Sequence, residues 1–517
     1  MSTATDNLRQ RTLAGLFWSL VERVGLRVVQ FLPTILLARL LAPEQFGLVG
    51  MLALFIALAQ VFLDSGFGAA LIQKRDATYT DECSIFYFNI LVGGVVALAL
   101  FFAAPLIAAF YNQPLLIPLT RWLSLDILLK AFGLIQTTLL SRTLDFKTQV
   151  KANLFATLCA GVIGVAAAYF GLGVWSLVIQ TLSNTLLRTA ILWRLSAWRP
   201  ALRFSFAALR GMFGFGSRML ATGLLTVFFD NLYQVFIGKV FSATPLGLYT
   251  RAASLREVAV DTTSLAVGRV LFPALAFIQE DAERLRRGYA RAIALATFFH
   301  FPLMVGLIVA ARPLITLLFS DRWAACAPFF QLMCVAGLFY PLSIINLNIL
   351  KVKGRSDLFL RLEIIKRGLM VANVLLAYRY GISAILLGQI GIAGISYVLN
   401  SFYSERLIAY SIRDQIVDVL PSLVCAGLMG GGMWFVGGVL EPAGDFVRLS
   451  AQAGVGIGIY LILSWLGRSE SLAEVRRIAT EWLARVPTQA GRAALDIPAV
   501  ASRSAARPFP ARLCAAL

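Results

Sequence analysis

The sequence predicts an all-α, polytopic membrane protein of about 14 transmembrane helices, arranged as two parallel six-helix bundles around a central cavity with two further helices at the periphery. Three observations lead there. Of the 517 residues 59% are hydrophobic and only 14% charged, a balance that a soluble chain of this length does not have. Apolar runs long enough for the hydrocarbon core, which takes about 20 residues per helix, recur from residue 13 to residue 466 with no soluble-looking interval of domain size. The short gaps between those runs alternate between basic and nearly uncharged, the pattern by which orientation in a membrane is set.

The runs begin near residues 13, 46, 84, 115, 150, 173, 212, 245, 289, 326, 358, 381, 416 and 448. Every second gap is basic: Lys74 and Arg75; Arg142, Lys147 and Lys151; Arg194, Arg199, Arg203 and Arg210; Arg284, Arg286, Arg287 and Arg291; Lys351, Lys353 and Arg355; Arg406 and Arg413. The intervening gaps, such as "APEQFG", "YNQPLL", "YFGLGVW" and "VLEPAGD", are tight and mostly uncharged or acidic, with Arg322, Arg379 and Arg448 as exceptions. Basic gaps face the cytoplasm, so both termini are expected inside. This orientation accounts for much of the net charge of +19, which in a soluble protein would suggest nucleic acid; no nucleic-acid partner is expected. The first run is too long and too charged for a signal peptide and is expected to remain as a span. Six scattered cysteines without a CxxC pair suggest neither a disulfide framework nor a zinc site, and no cofactor is implied.

The chain also repeats itself. Shifted by 200 positions, "LLARLLAPEQFGL" lies over "FIGKVFSATPLGL", matching Arg39 with Lys239, Gly47 with Gly247 and Leu48 with Leu248; Gly68 and Leu71 then meet Gly268 and Leu271. Six spans separate the paired points, so the second copy enters the membrane from the same side as the first. The expected divisions are a cytoplasmic N-terminus at 1–12, bundles at 13–200 and 201–405, two additional helices at 406–467 and a cytoplasmic segment at 468–517. In that last segment Leu472, Val475, Ile478, Ala479 and Trp482 share one helical face, as in a helix lying on the inner leaflet, and the tail from about residue 486 has no periodicity and is expected to be disordered.

Charges within the spans point to a polar interior. Ser19, Arg23, Arg27, Gln30 and Thr34 form one helical stripe; so do Thr250, Ser254, Glu257, Asp261, Ser264 and Gly268, with Arg251 and Arg256 beside them. Asp64 and the group Asp230, Asn231 and Gln234 add polar faces to the second and seventh spans. A charge at mid-membrane costs about 2.5–3.5 kcal/mol on insertion scales, so these faces are expected to line protein or a shared watery chamber. Arg23, Arg27, Arg251 and Arg256 are the candidate substrate-binding residues: Arg23 and Arg27 have no acid one turn away, and unpaired guanidinium groups want an anion, whose phosphate form fits their planar fork. Asp64, Asp230, Glu257 and Asp261 are candidates for coupling to protons or sodium, or for pairing with those arginines. Asp126 and Lys130, four apart, are expected to pair with each other, and Lys366 and Arg367 to snorkel from a helix end. No enzyme is expected. His300 is the only histidine, so histidine triads and HExxH sites lack their parts; no GxxxxGK[ST] loop occurs, and the gaps leave no room for a catalytic domain.

In order along the chain, "ARLLAPEQFGLVGM", "DSGFGAALIQKRD", "LLSRTLDFK", "GLGVWSLV", "WRPALRFS", "DNLYQVFIGKVFSATPLGLYTRA", "LFPALAFIQED" and "LFSDRWAACAPFFQLM" resemble the recurring motifs of the polysaccharide-transport, Wzx-like family of the multidrug/oligosaccharidyl-lipid/polysaccharide flippase superfamily. The resemblance spans about residues 10 to 400. It implies a flippase of a bacterial inner membrane that moves a polyprenyl-diphosphate-linked oligosaccharide to the outer leaflet for exopolysaccharide, O-antigen or capsule assembly, working by alternating access. Membrane lipids, a polysaccharide polymerase and export machinery are the implied partners. Family motifs fall on Arg39, Gly47, Asp230, Gly247, Tyr249 and Arg251; Arg23, Arg27 and Arg256 are chosen from helix geometry alone. The rival readings are a cation-coupled multidrug exporter, which wants an acidic lumen, a polysaccharide polymerase or ligase, which wants a large outer loop, and a structural part of a synthase complex.

Overall fold

The computed structural model describes residues 31–74, 76–277, 281–467, 471–473 and 476–477, with backbone alone over 261–277. Arg23, Arg27, the N-terminal segment, the expected disordered tail and most of the expected surface helix therefore lie outside the described residues, as does the side chain of Asp261. The described residues up to Leu463 form one compact unit.

Helix follows helix, and no strand occurs among the described residues. The order is α1 (Phe31–Leu40), α2 (Pro43–Asp64), α3 (Phe67–Gln73), α4 (Tyr79–Tyr111), α5 (Leu116–Arg142), α6 (Phe146–Tyr169), α7 (Trp175–Leu195), α8 (Phe206–Asp230), α9 (Leu232–Val240) and α10 (Ala243–Phe277). Then come α11 (Ala282–Val309), α12 (Ala311–Phe319), a 3-10 turn at Asp321–Cys326, α13 (Ala327–Gly337), α14 (Tyr340–Val352), α15 (Ser356–Ala377), α16 (Ile382–Ile408), α17 (Ile412–Val439) and α18 (Asp445–Leu466).

Local chemistry sets several of the boundaries. Pro43 opens α2, where its missing N–H costs nothing, and Gln45 Oε1 accepts from Ala42 N–H at 3.2 Å. Thr78, Asp145, Ser205, Asp281 and Ser411 cap five of the six helices at the basic gaps, each accepting from a first-turn N–H, while α15 has no such cap. Ser65 and Gly66, with φ of 38° and 73°, break the second span into α2 and α3.

Among the described residues, ten helical segments are long and apolar enough to cross a membrane. Phe102 and Trp434 are 72% and 74% exposed, along with many other large apolar residues, a surface that only lipid would cover. In the first half α4 packs on α5, α6 on α7 and α5 on α7; in the second, α16 packs on α13, α14 and α15, while α17 lies against α11. The halves meet mainly along α2 and α10, and one core runs through both, including Met51, Leu119, Ile237, Leu246, Phe319, Trp323 and Phe330.

Candidate functional site

Two polar cavities sit at mid-helix depth, each lined by one half. The first, about 630 Å³, lies between α2, α5 and α7. Its lining includes Gln60, Asp64, Lys130, Gln180, Asn184 and Arg188, with Thr137, Thr181, Thr185 and Thr189. Lys130 Nζ pairs with Asp126 at 2.8 Å, as the spacing predicts, and Asp126 also accepts from the Thr185 hydroxyl at 2.5 Å. Asp64 accepts from Gln60 Nε2 at 3.2 Å. Arg188 has no hydrogen bond or ion pair among the described residues.

The second cavity, about 330 Å³, lies between α10, α13 to α16 and Tyr233 of α9. Arg256, Lys366 and Arg367 bring three cations to it against Glu363 alone. Lys366 pairs with Glu363 at 3.3 Å, and Arg367 with Asp230 at 3.1 Å. Arg256 is half-buried, and its Nε has no partner among the described residues.

The halves also close on each other at one end, and the closure is reciprocal. Gly47 packs on the Ala243 carbonyl and Gly247 on the Pro43 carbonyl so closely that an added Cβ would lie 1.7 Å and 1.8 Å from those oxygens. Pro43 and Ala243 are themselves 200 positions apart, so the two contacts are copies of one another. Arg39 crosses to the Leu317 and Leu318 carbonyls near the end of α12, and Lys239 crosses the opposite way to the Phe110 carbonyl near the end of α4. A cation at a helix C-terminus meets both unsatisfied carbonyls and the negative end of the dipole. Trp323 Nε1 donates to the Ala38 carbonyl at 2.7 Å, and its ring lies 5.4 Å from that of Phe46.

Arg251 belongs to this sealed end. Only 8% exposed, its guanidinium sits 4.2 Å from the Phe46 ring centroid and 5.9 Å from those of Phe319 and Trp323. The sequence expectation of a common lumen for Arg251 and Arg256 thus meets a different geometry. Five residues apart, they point about 140° from each other around α10, one into an aromatic cage and the other into the second cavity. Asp230 is an ion-pair partner, Asp64 faces the first cavity, and Glu257 is exposed. Lys366 and Arg367, expected to snorkel, line the second cavity because they fall midway along α15 rather than at its end. Arg188 was not singled out by sequence reasoning, although Gln180, Asn184 and Arg188 recur every four residues, the same signal that marked the first and eighth spans. No cluster of metal-binding side chains occurs among the described residues.

A family model described as "Polysaccharide biosynthesis protein" matches residues 36–328, more than half of the chain. The chain belongs to this polysaccharide biosynthesis family. The matched segment holds the whole reciprocal closure, the first cavity and Arg256, and stops before Lys366 and Arg367. Two curated relatives are the lipopolysaccharide biosynthesis protein WzxC of Escherichia coli K12, 27% identical over 82% of this chain and 88% of its own, and the teichuronic acid biosynthesis protein TuaB of Bacillus subtilis 168, 26% identical over 88% and 96%. Among solved structures the lipid II flippase MurJ in an inward closed conformation superposes with TM-score 0.69 at 15% identity, covering 86% of this chain and 97% of its own. The family protein is therefore a multi-pass membrane protein with a flippase-type helical fold.

Proposed function

We propose that this family member is a flippase for a polyprenyl-diphosphate-linked oligosaccharide destined for surface polysaccharide, working by alternating access. The observation that carries it is the second cavity, where Arg256, without an acid partner among the described residues, stands with Lys366 and Arg367 at a depth where an unneutralised charge is costly. A diphosphate would repay that cost through charge-assisted, bidentate hydrogen bonds. Membership of the family and a fold shared with MurJ support the same reading. An exporter of cationic drugs fits less well, since three basic groups against Glu363 and Asp230 leave the cavity net positive, which would repel its cargo.

The basic gaps place Lys74, Arg142 and Arg194 on the cytoplasmic side, with both termini, in the inner membrane of a bacterium. The end sealed by Gly47 and Gly247 is then the outer one. Adding α1, α7, α10 and α15 to the ten apolar spans reaches the expected fourteen, and the two bundles, 13–200 and 201–405, would rock about the α2–α10 contact. Arg23 and Arg27 remain candidates for the same anion; Asp64, Glu257 and Asp261 remain candidates for ion coupling, and a polymerase and export machinery for partners.

Proteoliposomes holding the purified protein and a fluorescent polyprenyl-diphosphate-linked saccharide test the proposal. Transfer of label between leaflets is expected, and slower transfer for Arg256→Gln. Uptake of cationic dyes with no movement of the saccharide lipid would overturn it in favour of the multidrug reading.

A further inference from the structure

The two cavities occupy equivalent places in the two halves, yet their linings differ in chemistry. In the second, cations stand beside Tyr233, Phe339, Tyr340 and Met370. In the first, seven of the lining residues are uncharged amides or hydroxyls: Gln60, Thr137, Gln180, Thr181, Asn184, Thr185 and Thr189. Its charges cancel, since Lys130 and Arg188 are balanced by Asp64 and by Asp126 behind Lys130. Several polar valences there are unspent. Gln180 makes no side-chain hydrogen bond among the described residues. The Gln60 Oε1 is buried without a partner. Asn184 spends its Nδ2 on the Thr157 hydroxyl at 3.2 Å, leaving Oδ1 open. The Thr181 hydroxyl donates to its own helix at 2.9 Å, leaving oxygen lone pairs as acceptors.

Such a set suits a ligand that is neutral and carries many hydroxyls, each at once donor and acceptor. A diphosphate would find one free guanidinium there and Asp64 opposing it; a sugar would find partners on every side. Size agrees, because at about 630 Å³ the first cavity has roughly the room of a small-ligand pocket. We infer that the halves divide the substrate: the first-half cavity binds the saccharide and determines which sugar is accepted, while the second holds the diphosphate. This rests on the flippase reading and adds to it a specificity site on α7, centred on Gln180, Asn184 and Arg188.

The test is binding of two probes to the purified full-length protein in lipid nanodiscs: polyprenyl diphosphate without sugar, and the same lipid carrying the first saccharide of the producing strain's own repeat unit. The wild type should bind the sugar-bearing lipid more tightly. Gln180→Ala and Asn184→Ala should each lower that preference, by about five- to tenfold, the worth of one hydrogen bond to a neutral partner, with binding of the bare diphosphate unchanged. Arg256→Gln should weaken both probes alike. Gln180 holds no side-chain hydrogen bond among the described residues, so its variant keeps the test decisive if Asn184→Ala melts early. Equal affinity of the wild type for the two probes, or equal weakening of both by Gln180→Ala, overturns the division of labour. Failure of the wild type to bind either probe would instead overturn the flippase reading itself.

Discussion

Gly47→Ala is the sharpest perturbation of the sealed end. The new Cβ would start 1.7 Å from the Ala243 carbonyl oxygen, whereas real Cβ contacts essentially never fall under 3.0 Å. The obstructing atom belongs to backbone, so no side-chain rotation relieves the clash and the crossing of α2 and α10 must open. Overpacking of this kind costs about 1–3 kcal/mol, and the absence of a flexible neighbour argues for the upper part of that range. If the opposite conformation separates Gly47 from Ala243, the cost falls on the sealed state alone, and its population relative to the open state drops by about 5- to 150-fold. Cys326 supplies the reporter. It is buried beside the closure, with Sγ 3.3 Å from the Leu248 carbonyl, and should meet aqueous reagents only when that end parts. In a variant whose other cysteines (Cys83, Cys159, Cys334, Cys425 and Cys514) are alanine, a membrane-impermeant maleimide added to whole cells should label Cys326 slowly. Adding Gly47→Ala should raise the labelling rate at least fivefold. An unchanged rate, with normal amounts of protein in the membrane, would refute the idea that this crossing holds the end shut.

Gly247→Ala should reproduce the same labelling, and the double variant should gain less than the sum, because both substitutions strain one contact. Trp323→Phe keeps a ring against Phe46 but leaves the buried Ala38 carbonyl without its donor, a loss of about 1–3 kcal/mol that a lowered melting temperature in detergent would register. Asp145 caps α6, and its bonds to the Thr148 hydroxyl and N–H hold its carboxyl below the usual carboxylate range. A depressed folded-state value means stabilisation that is full above the unfolded value and is lost as pH falls through the folded one. Asp145→Asn should therefore lower the melting temperature at pH 7 and flatten the acid limb of the profile below about pH 4, so that the two proteins converge in acid.

Hydropathy and charge alternation made the helical architecture legible because each depends on residues near one another in sequence. The 200-residue repeat was legible for a different reason: the motif around Gly47 and Gly247 is held to one backbone approach that no side chain can replace, so it survives where surrounding residues differ. The site was only half legible. Periodicity put Arg256 on a polar stripe, but it could not separate that residue from Arg251, because which helix covers each face is decided by distant segments. Phe46, Phe319 and Trp323 come from three parts of the chain and meet only around the Arg251 guanidinium. Lys366 and Arg367 were hidden for the same reason, since in sequence they read as cations snorkelling from a helix end, and only the packing of distant helices brings Arg256 of α10 to the same cavity.

Those pairings decide how Arg256 should be regarded. Lys130 is answered by Asp126, Lys366 by Glu363 and Arg367 by Asp230, and Arg188 shares the first cavity with Asp64, which leaves Arg256 in the second without an acid among the described residues. A cation kept only to hold helices together would be expected to have its counter-charge or, like Arg251, an aromatic cage, because an unpaired charge at that depth costs about 2.5–3.5 kcal/mol. Arg256→Leu separates the two roles, since it removes an uncompensated, half-buried charge and leaves every ion pair intact. Under the substrate-binding role the variant should melt at or above the wild-type temperature, as replacements of costly buried charges often do, and yet fail to restore surface polysaccharide in cells lacking the wild-type protein. Under a packing role it should melt lower and, wherever it reaches the membrane, still export. A destabilised but export-competent Arg256→Leu protein would remove the second cavity from consideration as the diphosphate site.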